Sequence, residues 1–289
     1  MPKFIYPART TSSIFQLSEI TQGTYKTFVK MLLNNDIKCL NIFLNKLIDE
    51  LSADSGLPDN LNIIDKLVLL LDARCYSISP TIDLAVEIKK EKHNYQLNIN
   101  DVIDSILELK YKKEFIYQDK SIICKATLPR QLSYDVPEDI FADSITYLEL
   151  KKEKIEIDYP LNKKKELINK LPPILFTKYL KFIEQVNSSI DTNEVVNLPS
   201  VITEQTYAIS ILGDNIPQLL NLCFYLDLAT THQNEYQLIR NFNFTIGQIN
   251  NTPPVELSLY YNYITAEAKA AKEEQDKDSA GHMTSPPPL

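Results

Sequence analysis

The chain has 289 residues, of which 44% are hydrophobic and 24% charged, ordinary proportions for one large or two modest globular domains. A formal net charge of −8 with only four arginines (Arg9, Arg74, Arg130, Arg240) argues against a nucleic-acid binder, which needs a basic field to displace counterions from phosphate. The five glycines are all isolated, which excludes a phosphate-cradling glycine loop, and no apolar run approaches the ~20 residues that span a bilayer.

Residues 1–17, with Pro2 and Pro7 and no helical period, read as an extended arm. Residues 18–75 read as an N-terminal helical block. Its first helix runs from about Thr21 to Asn34, with Tyr25, Phe28, Val29 and Leu32 on one face. Asp36 is placed to cap a second helix, in which Ile37, Leu40, Leu44, Leu47, Ile48 and Leu51 mark an apolar stripe. Gly56 and Pro58 break it. A third helix over Leu61–Arg74 is apolar on most sides, so Leu67, Val68, Leu70 and Leu71 are expected at the centre of the fold.

The period then changes from 3.6 to 2, and residues 76–160 read as a strand-rich insert and linker. Ile82, Leu84, Val86 and Ile88 alternate, as do Tyr95, Leu97 and Ile99, around a turn at Lys89–Lys92. Asn100 is the expected cap of a short helix with Ile103, Ile106 and Leu107. A second hairpin joins Phe115 and Tyr117 to Ile122, Cys124, Ala126 and Leu128. Residues 129–143 look irregular. Strands are expected at Ile145–Leu150 and Ile155–Tyr159 around a turn at Lys151–Lys154.

Residues 161–265 read as a C-terminal helical region. Pro172 and Pro173 suit a helix start, followed by Leu175, Tyr179, Phe182 and Val186. A polar loop spans 188–200, and shorter helices are expected near 202–212, 217–228 and 234–243. Thr252 is the expected N-cap and Pro253 the first residue of a last long helix carrying Val255, Leu257, Leu259, Tyr260, Tyr263 and Ile264. Residues 266–289 read as a fraying helix and then a disordered tail. The expected fold class is α+β and helix-dominated.

The chemistry-bearing residues are sparse. His93 sits by a predicted turn, His232 in a polar linker and His282 in the tail, with no metal-ligand spacing around them, so no metal or other cofactor is expected. Cys39 and Cys223 fall on apolar helix faces and Cys124 on an apolar strand face, the pattern of buried, inert thiols. Asp65 and Asp72 read as caps or solvated helix ends. No catalytic residue is assigned. Lys163–Lys165 and the lysines around Lys90 read as solvated faces. Tyr260, Tyr261 and Tyr263 cluster on the last helix. Tyrosine favours protein interfaces, and these three are the candidate partner-binding residues, although two of them could equally pack into the helical core.

Two stretches carry a resemblance to a known family. The run Ile64-Asp65-Lys66-Leu67-Val68-Leu69-Leu70-Leu71-Asp72-Ala73-Arg74-Cys75-Tyr76-Ser77-Ile78, with Asp65, Leu70, Arg74 and Ser77 as marked positions, resembles a segment of baseplate hub proteins from T4-like contractile-tailed bacteriophages. Thr24-Tyr25-Lys26-Thr27-Phe28 is similar to a helix start in that family. Asn251–Tyr260, marked by Thr252, Pro253 and Glu256, is similar to a helix start of tail assembly chaperone-like proteins. Ile78 stands where the family pattern has glycine. Some relatives carry paired cysteines in the insert that this chain lacks, so no metal is implied there.

The resemblance implies a non-enzymatic baseplate hub component or hub assembly chaperone. It would act by protein–protein binding in the cytoplasm of an infected bacterium, or as part of the virion tail. Its partners would be hub or tail proteins, with no nucleic acid and no membrane. Two rival classes stay open from sequence. An enzyme with a site assembled from distant residues would show a perturbed carboxylate or thiol in a deep pocket. A nucleic-acid-associated regulator would show a basic stripe joining Lys151–Lys154 to Lys163–Lys165.

Overall fold

The computed structural model describes residues 4–34, 36–52, 61–88, 91–155, 157, 161–190 and 215–281. It is helix-dominated α+β, as expected. The chain divides into two compact units, residues 1–19 with 27–225, and residues 20–26 with 226–289.

The first unit begins with a hairpin, β1 (Ile5–Arg9) and β2 (Ile14–Ser18), where the sequence suggests only an extended arm. Strands of five residues are too short to display a period, and their pairing depends on distant carboxylates. The backbone amide of Arg9 donates to Asp72 Oδ2 at 2.7 Å, facing away from β2. Pro7, two residues earlier on the same edge, has no amide to satisfy, and an edge strand tolerates it for that reason. The amide and hydroxyl of Thr11 both donate to Asp65 Oδ1, at 2.9 and 2.7 Å.

Those carboxylates belong to α3 (Ile63–Ser77), which follows α1 (Gln22–Asn34) and α2 (Ile37–Leu51). Asp36 caps α2 as expected, accepting from the Cys39 amide, and Asn62 caps α3. Leu67, Val68, Leu69, Leu70 and Leu71 are all essentially inaccessible to solvent. Asp65 and Asp72 are buried as well, which corrects the reading of them as caps or solvated ends. Seven residues are about two helical turns, so both carboxylates share one face of α3 and hold the N-terminal hairpin there. Ile78 ends the helix at φ −124°, a conformation that does not require glycine.

The strands β3 (Thr81–Ile88) and β4 (Glu91–Asn98) pair antiparallel, with His93 in β4 opposite Val86. The chain enters α4 (Ile99–Leu107) directly. Its cap is Asn98, whose side chain accepts from the Asn100 amide, so the expected cap falls two residues too late. A four-stranded antiparallel sheet follows in the order β5 (Glu114–Gln118), β6 (Ile122–Thr127), β7 (Ile145–Leu150) and β8 (Glu153–Ile155). The β7–β8 turn is only Lys151 and Lys152, both at positive φ (51° and 71°). That places β8 two residues earlier than expected.

The supposedly irregular 129–143 stretch holds α5 (Pro137–Ser144), with Pro137 at its start and Glu138 and Asp139 in its first turn. Phe141, in α5, packs its ring against Phe115 and against Tyr179 of α7 (Pro173–Ile190), at centroid distances of 6.4 and 5.0 Å. Between them lies α6 (Leu161–Ile168), and α8 (Asn215–Cys223) closes the unit. Residues 188–190 of the loop expected at 188–200 belong to α7; the rest of that loop, the helix expected at 202–212 and the break at Gly56 and Pro58 lie outside the described residues.

The second unit comprises the first turn of α1 with α9 (Leu228–Phe242), α10 (Ile246–Asn251) and α11 (Pro254–Gly281). The helix α11 continues to Gly281, within the 266–289 stretch read as a fraying helix and then a tail. The rest of that tail, including His282, lies outside the described residues.

Candidate protein-binding surface

The described residues contain no cluster of His, Cys, Asp and Glu able to hold a metal. No helix among them is long and apolar enough to cross a membrane. Burial pushes the thiols of Cys124 and Cys223 up to about 12 and that of Cys75 up to about 11, which disfavours the nucleophilic thiolate. Cys39 is exposed, contrary to expectation. It precedes Leu40, the first buried position of α2, and the ~100° step per residue carries it off the apolar face. Its neighbour Asp36 raises its pKa.

The marked positions of the sequence separate into two groups. Asp65, Leu70, Arg74 and Ser77 are all buried in α3. The Arg74 guanidinium donates to the backbone carbonyls of Cys223, Ser79 and Thr81. These residues therefore build the first unit. Thr252, Pro253 and Glu256 lie in the second unit with the tyrosines. Thr252 is the C-cap of α10, and its hydroxyl donates to the Gln248 carbonyl at 2.8 Å. Helix α11 starts at Pro254, one residue later than expected, with Glu256 in its first turn.

Local chemistry sets the helices of the second unit. Asp227 caps α9 by accepting from the Ala229 and Thr230 amides. Asn243 ends α9 at φ 55°, a left-handed conformation that asparagine tolerates. Thr245 and Gln248 form a reciprocal capping box at the start of α10. The core is Leu238, Ile249 and Leu257, against which Phe244, Tyr260, Tyr261 and Ile264 pack.

A charged cluster ties in the first turn of α1. Lys26 Nζ lies 2.7 Å from Glu235 Oε1, with side-chain exposures of 12% and 11%. Gln22 Nε2 donates to the same oxygen at 3.3 Å, and its amide donates to the Thr252 carbonyl at 2.9 Å. Burial would raise the Glu235 pKa, but the hydrogen bonds from Lys26 and Gln22 and the Lys26 charge outweigh it and hold it low. His232 is on α9 and not in a linker, with Nδ1 3.2 Å from Glu235 Oε2. Lys26 is marked in the sequence only as part of the Thr24–Phe28 stretch, and its pairing with Glu235 could not be read there, since 209 positions separate them.

The three tyrosines have different surroundings. Tyr261 is half-buried, and burial with the nearby Glu235 charge pushes its phenol up to about 12. Its hydroxyl has no hydrogen-bond partner among the described residues. Tyr260 is half-buried between the edges of Phe242 and Phe244, with ring centroids 5.6 and 5.1 Å away. Tyr263 is 66% exposed, and Leu259, one turn earlier, is 58% exposed. Phe242, Tyr260, Leu259 and Tyr263 together form an aromatic band on α9 and α11.

From Leu228 to Thr265 the ionisable side chains other than tyrosine are His232, Glu235, Arg240 and Glu256. Glu235 is buried. A surface depleted in charge and rich in Tyr and Phe has the composition of a protein-interface core. Leu257 and Tyr263 flag it in the sequence only through helical spacing. The ring contacts from Phe242 and Phe244 could not be read there.

A family model described as T4 bacteriophage base plate protein matches residues 1–210. No curated protein and no solved structure matches the chain.

Proposed function

This chain belongs to the T4 bacteriophage base plate protein family, a family of phage baseplate structural proteins, and on that premise we infer that it is a baseplate hub component or hub assembly chaperone acting by protein binding. The family membership carries the reading. The aromatic band of α9 and α11 supports it, because Phe242, Leu259 and Tyr263 of that band are exposed and none of its side chains is charged. A hub or tail protein docks on the surface around Tyr260 and Tyr263, with Tyr261 holding α11 in place from below. The driving force is burial of apolar area at ~25 cal/mol per Å², reduced by the entropy lost on association. The protein works in the cytoplasm of the infected bacterium during assembly, where its contact masks an apolar surface of the partner. Binding and not catalysis is the activity, and neither nucleic acid nor membrane is a partner.

Mass spectrometry of purified virions separates the two roles. Stoichiometric recovery with the tail identifies a hub component. Presence in assembling cells and absence from virions identifies a chaperone. Absence from both baseplate intermediates and virions would contradict the reading.

A further inference from the structure

The N-terminal hairpin, the C-terminal half of α3 and the start of α4 border a cavity of about 520 Å³ in the first unit. Cavities of this size hold small ligands or single side chains. Arg9, Ile14, Asp72, Tyr76, Pro80 and Asn100 line it. Asp72 is only 4% exposed. Its Oδ2 accepts from the Arg9 amide, whereas its Oδ1 accepts from no described residue and is not sealed from solvent. A buried carboxylate oxygen without a donor is costly until a donor reaches it. Burial accordingly raises the Asp72 pKa. The Arg9 guanidinium is engaged elsewhere, with Nη1 2.9 Å from Asp104 Oδ1 in an exposed pair.

Tyr76 adds an aromatic face beside that oxygen. Its ring is stacked on Tyr6 on one side, with centroids 4.1 Å apart, and is still 43% exposed. Asn100 adds a side-chain amide that makes no hydrogen bond among the described residues.

We infer that this cavity binds a primary ammonium group at the end of an aliphatic stem. The ammonium donates to Asp72 Oδ1 and to the Asn100 side-chain oxygen, and its charge faces the Tyr76 ring. The stem lies along Ile14 and Pro80. An ammonium suits the site better than a guanidinium, because Asp72 Oδ2 is already engaged and a bidentate fork needs both oxygens. The local charge agrees, since Asp72 and Asp104 outnumber Arg9. Cys75 also lines the cavity, but burial pushes its thiol up to about 11, so the lining supports recognition and not reaction. Two sources carry this chemistry: a free aliphatic amine, and a lysine side chain of a partner protein. The site lies apart from the aromatic band of α9 and α11 and does not depend on the role given to it.

Titration of the full chain with n-butylammonium chloride, followed through the amide NMR resonances of Arg9, Tyr76 and Asn100, tests the site. These resonances should shift saturably. The neutral isostere n-butanol should leave them in place. Asp72→Asn keeps an oxygen for the Arg9 amide but removes the charge, and should weaken binding about tenfold or more. Tyr76→Leu should weaken it about fivefold. Circular dichroism confirms that each variant folds, and Tyr76→Leu with the n-butanol control carries the test if Asp72→Asn does not. A second titration with Nα-acetyl-lysine N-methylamide identifies the source. Saturable shifts with the capped lysine assign the site to a partner's lysine, and shifts with n-butylammonium alone assign it to a free amine. Absence of saturable shifts with either probe overturns the inference. So does an equal response to n-butanol, or undiminished binding in the folded variants.

Discussion

Lys26 and Glu235 stand 209 positions apart in the chain, and their charged atoms stand 2.7 Å apart in the fold. The pair fixes the first turn of α1 to α9 within the second unit, with both side chains largely shielded from water. Removing one partner leaves a buried charge uncompensated. Glu235→Ala should therefore cost about 3 kcal/mol in urea unfolding. Lys26→Met should cost a comparable amount, and the double variant should lose much less than the sum.

The same pair gives a pH dependence of known sign. The Glu235 carboxyl is held below its ordinary value in the fold, so its contribution is present at neutral pH and lost as pH falls through the folded value. Stability of the wild type should drop on acidification below about pH 4.5. Glu235→Gln should flatten that limb. An unchanged acid limb would mean that the pair is not formed.

Lys66 gives the opposite window. Burial lowers its pKa to about 8 from an ordinary 10.5, while its ammonium donates to Asn45 Oδ1 and the Arg130 carbonyl. Between about pH 8 and 10.5 the unfolded chain holds the proton more tightly, so stability should rise with pH in that window. Lys66→Met should remove the rise. Chemical denaturation at pH 8, 9 and 10 is the measurement.

Gly23 meets Asn250 closely. A Cβ there would lie 3.1 Å from both the Cβ and the backbone oxygen of Asn250. In an exposed helix Gly→Ala gains ~1 kcal/mol. Here the backbone oxygen cannot swing aside, and Gly23→Ala should cost about 1 kcal/mol, read as a lowered melting temperature.

Leu70 is 1% exposed at the centre of α3. Leu70→Ala should cost ~2–5 kcal/mol through lost transfer energy and the cavity left behind. A cost under about half a kcal/mol would place the residue at the surface.

Much of the helical framework was legible because long apolar periods are local. The stripe of α2 and the all-round apolar character of α3 can be read from consecutive residues. What escaped was either short or non-local. Helices α5 and α10 have eight and six residues, too few for a period, although Pro137 and the Thr245–Gln248 pair are start signals. The β1–β2 hairpin depends on Asp65 and Asp72, more than fifty positions away. Thr252 has the chemistry of an N-cap but spends its hydroxyl backwards on α10, which shifts the start of α11 to Pro254. Tyrosine spacing alone could not separate the inward Tyr261 from the outward Tyr263.

The most direct test of the account is co-expression with the baseplate and tail proteins of the same phage, followed by pull-down of the wild type and of Tyr263→Ala. Tyr263 is 66% exposed, so its replacement leaves the core of the second unit in place. The account predicts that the wild type recovers a hub or tail protein and that the variant recovers it about tenfold less, with an unchanged melting temperature. Equal recovery by both would remove this surface. Failure of the wild type to recover any baseplate or tail protein would contradict the binding role itself.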